Sequence, residues 1–401
     1  MEQNLLQKLQ RVKIKDILSI FLFLLALPIS FFYKKKRTHL WLICDSEKEG
    51  RDNGYWLFKY IKENQPSQDV AFALSPKSPD YERVSKVGEV VPFGSFKHWL
   101  YYLSATINIS SQKEGKPNAA VCYVLEVYGL RKNTRVFLQH GIIKDEMEFL
   151  HYEHTKMRLF VCTTKKETEF VANTYGYPKG WVQQLGLARF DNLKDESQGK
   201  GQILFMPTWR NWIGVKTYQS GKYDDVSSFD HTDFFRYWND LIHNERLQRL
   251  LEEKDLKLVF YPHRKMQEFL EDFSIQNKRI RLGSWTKDDV QDLLKESSVL
   301  VTDYSSIAMD FAYMKKPLVY FQFDYEKFRE GHYSEGYFSY EKDGFGPVVY
   351  DVDQAVDELE KIMDNNYQMA SDYRQKADEF FGENDYKNCE RNYKAILALD
   401  V

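Results

Sequence analysis

From His39 to Phe323 the chain alternates short, almost wholly apolar runs with longer stretches of helical periodicity, and this alternation constrains its fold more than any other feature. A strand buried on both faces reads as a continuous apolar run, and the helices between such strands must cross over the sheet, so the pattern predicts parallel α/β architecture. The first series of strands is predicted at His39–Cys44, Val70–Leu74, Thr106–Ile109, Arg135–Gln139, Leu159–Thr163 and Val182–Leu185, with helices at Gly54–Lys62 and Lys165–Tyr175. The polar string KDESQGKG, Lys194–Gly201, has nothing to bury and reads as a linker. Beyond it the alternation restarts, with strands at Ile203–Met206, Leu256–Tyr261, Ile280–Leu282, Val299–Thr302 and Leu318–Phe323. A long helical zone fills Phe234–Glu253, and shorter helices are expected at Asp288–Lys295 and Ser306–Tyr313. The expected organisation is a membrane-associating segment over 1–37, an α/β domain over 38–193, a linker over 194–201, a second α/β domain over 202–370 and a helical tail over 371–401. Two doubly wound, Rossmann-like domains facing a cleft would place ligands at the carboxyl ends of the strands.

Composition narrows the chemistry. Lys and Arg number 56 against 59 Asp and Glu, a net charge of −3, so no global basic field exists for gripping nucleic acid and any anion site must be local. The four cysteines lie far apart without a C-x-x-C pair, which reads as reduced, partly buried thiols. No G-x-G-x-x-G follows the first strand and no Walker A sequence appears, which argues against a dehydrogenase or a P-loop ATPase. One uncharged apolar run, Ile17–Tyr33, is flanked by Lys13, Lys15 and the cluster Lys34–Arg37. As a helix it would reach about 25 Å, short of a hydrocarbon core of about 30 Å, and Pro28 interrupts it. It leads straight into bulky aromatics and lysines rather than a small-residue cleavage site, so a secretory signal is rejected. A peripheral or monotopic anchor fits it, with the basic flanks on an anionic cytoplasmic leaflet; the other reading is a buried core helix.

The candidate chemical residues all fall where predicted strands run out. His140-Gly141 ends the strand RVFLQ: the imidazole is either a general base facing the cleft or a histidine hydrogen-bonded within its loop, and Gly141 would let a substrate approach the backbone. PTWR, Pro207–Arg210, places Arg210 on a strand-end loop as a bidentate phosphate holder or an ordinary surface arginine. His263-Arg264 follows the strand LKLVFY and suits contacts to a diphosphate, or an acid for the leaving group. Gly283-Ser284-Trp285 offers a stacking surface for a base or a buried tryptophan. In Asp303-Tyr304-Ser305-Ser306 a strand feeds a short loop that caps a helix, where hydroxyls and free N–H groups gather for a phosphate or merely for the cap. His151 and His154 lack the cysteine or paired carboxylates of a metal site, so no metal is expected.

Taken in order and spacing, HG at His140, PTWR, the His263 strand end, TDYSS at Thr302–Ser306 followed by DFAYMKKPLVYF, and FGP at Phe345–Pro347 resemble the CDP-glycerol glycerophosphotransferase family, the teichoic acid primases and polymerases. The resemblance runs over most of the chain from about Trp41, and TDYSS with its helix is its most specific part. It implies a GT-B-like fold, CDP-glycerol or CDP-ribitol as donor, a lipid-linked glycan as acceptor, release of CMP, no cofactor, and residence at the cytoplasmic face of the cell membrane. Carried over residue by residue, it makes His140 the base for the acceptor hydroxyl. His263, with Arg210 and Arg264, would neutralise the phosphates, and Gly141, Ser284, Asp303, Ser305 and Ser306 would belong to the donor site. A GT-B enzyme using a nucleotide sugar and a non-catalytic scaffold of polymer synthesis are the competing readings. The apolar stripe Val356, Leu359, Ile362 and Met363 would serve packing within the chain or a homo-oligomer.

Overall fold

The computed structural model describes residues 13–129, 134–197, 201–213, 226–382 and 384–400. Residues 198–200 of the expected linker and the first twelve residues of the expected membrane segment lie outside them. The chain forms two compact units. The first takes the chain up to Gly141, Glu148–Asp191 and the residues from Asp385 onward; the second takes Ile142–Met147 and Asn192–Asn384.

In the first unit seven parallel strands, β1 (Trp41–Cys44), β2 (Val70–Leu74), β3 (Val90–Pro92), β4 (Ile107–Ser110), β5 (Arg135–Phe137), β6 (Leu159–Cys162) and β7 (Val182–Gln184), lie in the order β3-β2-β1-β4-β5-β6-β7. β1 is the topological switch, pairing Trp41 with Val70 on one side and with Ile107 on the other. Alternate side chains serve opposite layers. Trp41, Ile43, Val70 and Phe72 meet the helix Asn53–Asn64 and the C-terminal helix Asn388–Leu397. Leu42, Cys44, Ala71 and Ala73 face the other way, and the small Cys44, Ala71 and Ala73 let Trp99 and Tyr102 of the helix Phe96–Ser104 close on the sheet. All four cysteines are buried free thiols.

The second unit repeats the architecture with six parallel strands, β8 (Gln202–Met206), β9 (Lys257–Phe260), β10 (Ile280–Leu282), β11 (Val299–Thr302), β12 (Leu318–Phe321) and β13 (Val348–Val349), in the order β10-β9-β8-β11-β12-β13. Its switch point lies between β8 and β11, so the loops PTWR and TDYSS leave neighbouring strands at the same sheet edge. The stripe Val356, Leu359 and Met363 is buried against this sheet's core. The predicted helical zone is two helices, Asp233–Ile242 and Glu245–Glu253, because the Asn244 side chain accepts from Arg246 N and Leu247 N and starts the second one afresh.

The N-terminal segment departs from its expectation. The helix runs without a break over Ile14–Lys36, 23 residues, through Pro28, where the sequence predicts an interruption. A proline inside a helix removes one donor, here leaving the Leu24 carbonyl, while Ser30 Oγ donates to Leu27 O within the same turn at 2.7 Å. By length and composition this helix is apolar and long enough to cross a membrane.

Candidate active site

In the first unit the site grows from the end of β5. Gln139 takes a left-handed φ of 63°, unusual for a residue with a side chain, and its surroundings over-determine it. Its amide nitrogen donates to Val161 O at 2.5 Å and to Glu167 Oε1 at 3.0 Å, while its own carbonyl accepts from Asn53 Nδ2 at 2.7 Å. The turn delivers His140 to Asp52: Nδ1 lies 2.5 Å from Asp52 Oδ2. Arg189 closes the arrangement, donating from Nη1 to Asp52 Oδ1 at 3.0 Å and to the His140 carbonyl at 2.6 Å. Asp52 is itself fixed by the loop after β1. Asp45, wholly buried, accepts from the backbone N–H groups of Asp52, Gly54 and Tyr55 and so anchors the start of the helix Asn53–Asn64. Gly54 is required there, since a Cβ would stand 2.4 Å from Asp45 Oδ1.

The electrostatics follow from this geometry. The Asp52 charge raises the His140 pKa to about 9 against the opposing effect of desolvation, and the hydrogen bond adds to the rise. Burial pushes Asp52 upward, but His140 and Arg189 outweigh it and hold the carboxyl below its ordinary range. Asp45, buried beside the Asp52 charge, is pushed up to about 7. The His140 side chain is 68% exposed, so one ring nitrogen is tied to a carboxylate while the ring faces outward. Such a dyad sets the tautomer: Nδ1 carries the proton toward Asp52 and Nε2 becomes the acceptor once the imidazolium is deprotonated. Gly141 follows, half-buried.

The second unit uses its strand-end residues differently. Arg210 and Asp303 both have no exposed surface. Arg210 Nη1 donates to Asp303 Oδ2 at 2.8 Å and to Thr208 O at 2.6 Å, and Nε and Nη2 form a fork onto Asp324 at 2.7 and 3.0 Å. Asp303 Oδ1 also accepts from Thr208 N and Tyr304 N, and Tyr304 Oη donates to Asp324. Burial alone would disfavour the guanidinium charge, but the two carboxylates outweigh it and keep Arg210 protonated. The expectation that these two residues touch a donor diphosphate does not suit their placement. Arg210 directs its donors to protein acceptors, and a buried carboxylate has the wrong sign for an anion. Together they brace the loops after β8, β11 and β12.

Other members of the predicted set remain accessible. His263 is exposed, and its Nδ1 accepts from Lys265 N at 3.2 Å. The Arg264 guanidinium lies over the Trp285 ring at 3.8 Å, and Lys265 Nζ over Trp209 at 3.2 Å. The Ser284 hydroxyl is paired with Thr286 Oγ1 at 2.8 Å, while its backbone N–H reaches Asp288 Oδ2. Ser305 and Ser306 are half-buried at the start of the helix Ile307–Tyr313; Ser305 Oγ accepts from Ile307 N, and the Ser306 side chain makes no cap bond. His332, absent from the sequence reading, packs edge-on to Trp209 at 4.7 Å, and burial followed by the Arg210 charge lowers its pKa to about 3. Sequence reasoning also missed Asp52, Asn53 and Arg189. Asp52-Asn53-Gly54 carries a signal, an Asp at the cap position of a helix that Asn53 begins, whereas nothing local marks Arg189.

Among the described residues no group of three or more His, Cys, Asp or Glu is placed to hold a metal ion. Compared with known proteins, residues 25–398 match the family described as CDP-Glycerol:Poly(glycerophosphate) glycerophosphotransferase. The minor teichoic acid biosynthesis protein GgaB of Bacillus subtilis (strain 168) is 34% identical over 374 residues, which cover 91% of this chain and 40% of GgaB. A teichoic acid poly(glycerol phosphate) polymerase of Bacillus spizizenii is 24% identical over 375 residues, 84% of this chain and 86% of that protein. A solved structure of the wall teichoic acid polymerase TagF superposes with a TM-score of 0.63 at 17% identity, covering 90% of each chain, which is a likeness of fold. The chain thus spans two fifths of the length of one relative and most of another.

Proposed function

Since the chain belongs to the CDP-glycerol:poly(glycerophosphate) glycerophosphotransferase family, we propose that it transfers an alditol phosphate, glycerol phosphate or ribitol phosphate, from a CDP-alditol to a lipid-linked glycan acceptor in teichoic acid synthesis. The observation that carries the reading is the Asp52–His140 pair, which orients an exposed imidazole and sets its proton affinity.

In the proposed reaction His140 Nε2 takes the proton of an acceptor hydroxyl. The hydroxyl oxygen forms a bond to the β-phosphorus of the CDP-alditol, the P–O–P bridge breaks, and CMP leaves with the bonding pair. His263 and Arg264, with the hydroxyls of Ser284, Ser305 and Ser306, are the residues proposed to meet the diphosphate, where positioning and charge stabilisation supply most of the catalysis. Arg210 and Asp303 act through the loops they brace. The enzyme would work at the cytoplasmic face of the membrane, where lipid-linked acceptors are held.

The test is incubation of the full chain with CDP-glycerol, CDP-ribitol or a UDP-sugar plus lipid-linked acceptors, following nucleotide release and product mass. CMP from one alditol donor, with an acceptor heavier by one or more alditol phosphates, is the expected result. Release of UDP alone would replace the reading by a glycosyltransferase, and release of neither nucleotide would leave a scaffold.

A further inference from the structure

The turn that carries Arg189 is held from behind by the helix Asn388–Leu397, which belongs to the same unit. Asp191, two residues past Arg189, closes the start of that helix. Its carboxylate accepts from Asn388 N and Cys389 N, both at 2.8 Å, and from Asn388 Nδ2 at 2.7 Å, where the helix dipole favours a negative charge. The helix returns donors to the backbone leading into the turn. Asn392 Nδ2 donates to Gly186 O at 2.8 Å, Arg391 Nε to Leu185 O at 2.9 Å, and the Cys389 thiol to Ala188 O at 3.3 Å.

These bonds do more than cover the sheet. Coverage is supplied by Tyr393 and Ile396, which pack among Trp41 and Ile43. Asn388 and Asn392 are buried amides, and burying an amide is costly unless it is hydrogen-bonded. Apolar contacts permit sliding, whereas directed bonds to the carbonyls of Leu185, Gly186 and Ala188 fix where the turn stands. Gly186, at φ 82°, is part of the fit, because a Cβ there would collide with Asn388 Oδ1. On its other side the turn is joined to the site: Arg189 N donates to Asn53 Oδ1 at 3.0 Å, and Arg189 Nη1 reaches Asp52 and the His140 carbonyl.

We infer that Asp191, Asn388 and Asn392 are positioning residues for His140: the helix Asn388–Leu397 fixes the Arg189 turn, and through Arg189 it fixes the Asp52–His140 pair. This deepens the transferase reading and rests on it for the task of His140. The charged groups that act on His140 are Asp52, Arg189 and Glu49, with Asp45 behind Asp52. Asp52 is also held by the loop after β1, through its backbone N–H on Asp45. A displaced turn therefore withdraws Arg189, the cation that opposes protonation of His140, and leaves the Asp52 charge in place.

The test compares full-length Asp191→Asn, Asn392→Leu, Arg189→Met and the double variant Asp191→Asn, Arg189→Met with the unaltered chain. His140 is titrated by imidazole NMR without substrate, and CMP release from CDP-glycerol or CDP-ribitol to a lipid-linked acceptor is followed in parallel. Asp191→Asn and Asn392→Leu should each move the His140 titration above about 9, as Arg189→Met does. They should lower kcat by about tenfold or more at unchanged KM for the CDP-alditol, since the residues proposed to meet the diphosphate are untouched. Asp191→Asn should cost nothing further in the Arg189→Met background, because both changes act through one guanidinium. An unmoved or lowered titration in folded Asp191→Asn, or an equal loss of kcat in both backgrounds, would overturn the inference and leave the helix a structural cover. Asp191→Asn keeps one acceptor oxygen, so it carries the comparison should Asn392→Leu fail to fold. A titration that moves as expected in a chain that releases no CMP would uphold the positioning role and overturn the transferase reading alone.

Discussion

The two units present cations at equivalent places, the loops leaving a parallel sheet's carboxyl edge, and dispose of them in opposite ways. His140 meets one carboxylate on one nitrogen and stays open on its other side, so its proton affinity is tuned while it remains available. Arg210 meets two carboxylates and a carbonyl, has no exposed surface, and is surrounded by Phe234, Tyr304 and Phe328. The difference teaches that a charged residue at a strand end is a candidate for chemistry only when its protein partners leave part of it unsatisfied and wet. Where they do not, it stabilises the loops on which other residues act.

That contrast is broken most directly by removing each residue in turn. His140→Ala should lower CMP release by about 10²–10⁴-fold, the range of a lost general base, with a smaller loss of stability at neutral pH because the Asp52 pair goes with it. A small loss of rate would dissolve the distinction. Arg210→Ala leaves Asp303 and Asp324 buried without their cation and should destabilise the second unit by about 3–5 kcal/mol in denaturant unfolding, with activity falling as the fold does. If it stays stable but raises KM for the CDP-alditol, Arg210 is a ligand contact after all.

The pH dependence sharpens the first half of the comparison. Asp52 raises the His140 pKa to about 9, so the ring is protonated at neutral pH and kcat/KM should climb as pH rises toward about 9. Asp52→Asn removes the charge that favours imidazolium and should move that limb down toward the ordinary value of about 6.5. The maximal rate should also fall, because Nδ1 loses its anchor. Linkage gives the stability counterpart: the raised pKa stabilises the fold below about 6.5, and that contribution is lost as pH passes through about 9. A limb that does not move would show that another group titrates. Smaller still, Arg264→Ala should raise KM for the CDP-alditol by about tenfold, as loss of one charge-assisted contact does, with kcat and stability nearly unchanged.

The strands were the most legible part of the molecule. Val70–Leu74 and Val299–Thr302 occur as read, because a strand covered on both sides is almost wholly apolar, and Ile280–Leu282 also occurs as read although it is an edge strand with Arg281 exposed. β3 and β13 escaped notice: one is three residues ending at Pro92 and the other two residues after Pro347, too short for any period to show. The break at Asn244 was hidden because apolar positions recur on both sides of it. At the sites, residue types at strand ends pointed to His140, His263, Arg264 and the Ser305-Ser306 loop. Asp52 lies 88 positions from His140 and Arg189 a further 49 beyond it, distances over which no local pattern operates.

The amino-acid sequence by itself determined the two parallel α/β sheets, the family, and a lysine-flanked apolar helix near the start, since each is a matter of local periodicity and short motifs. Only the tertiary structure decided which strand-end cation is sealed and which is left open, and which side of the apolar helix meets the protein. Both depend on how many carboxylates and how much apolar surface the fold gathers around one side chain, and those neighbours come from distant parts of the chain.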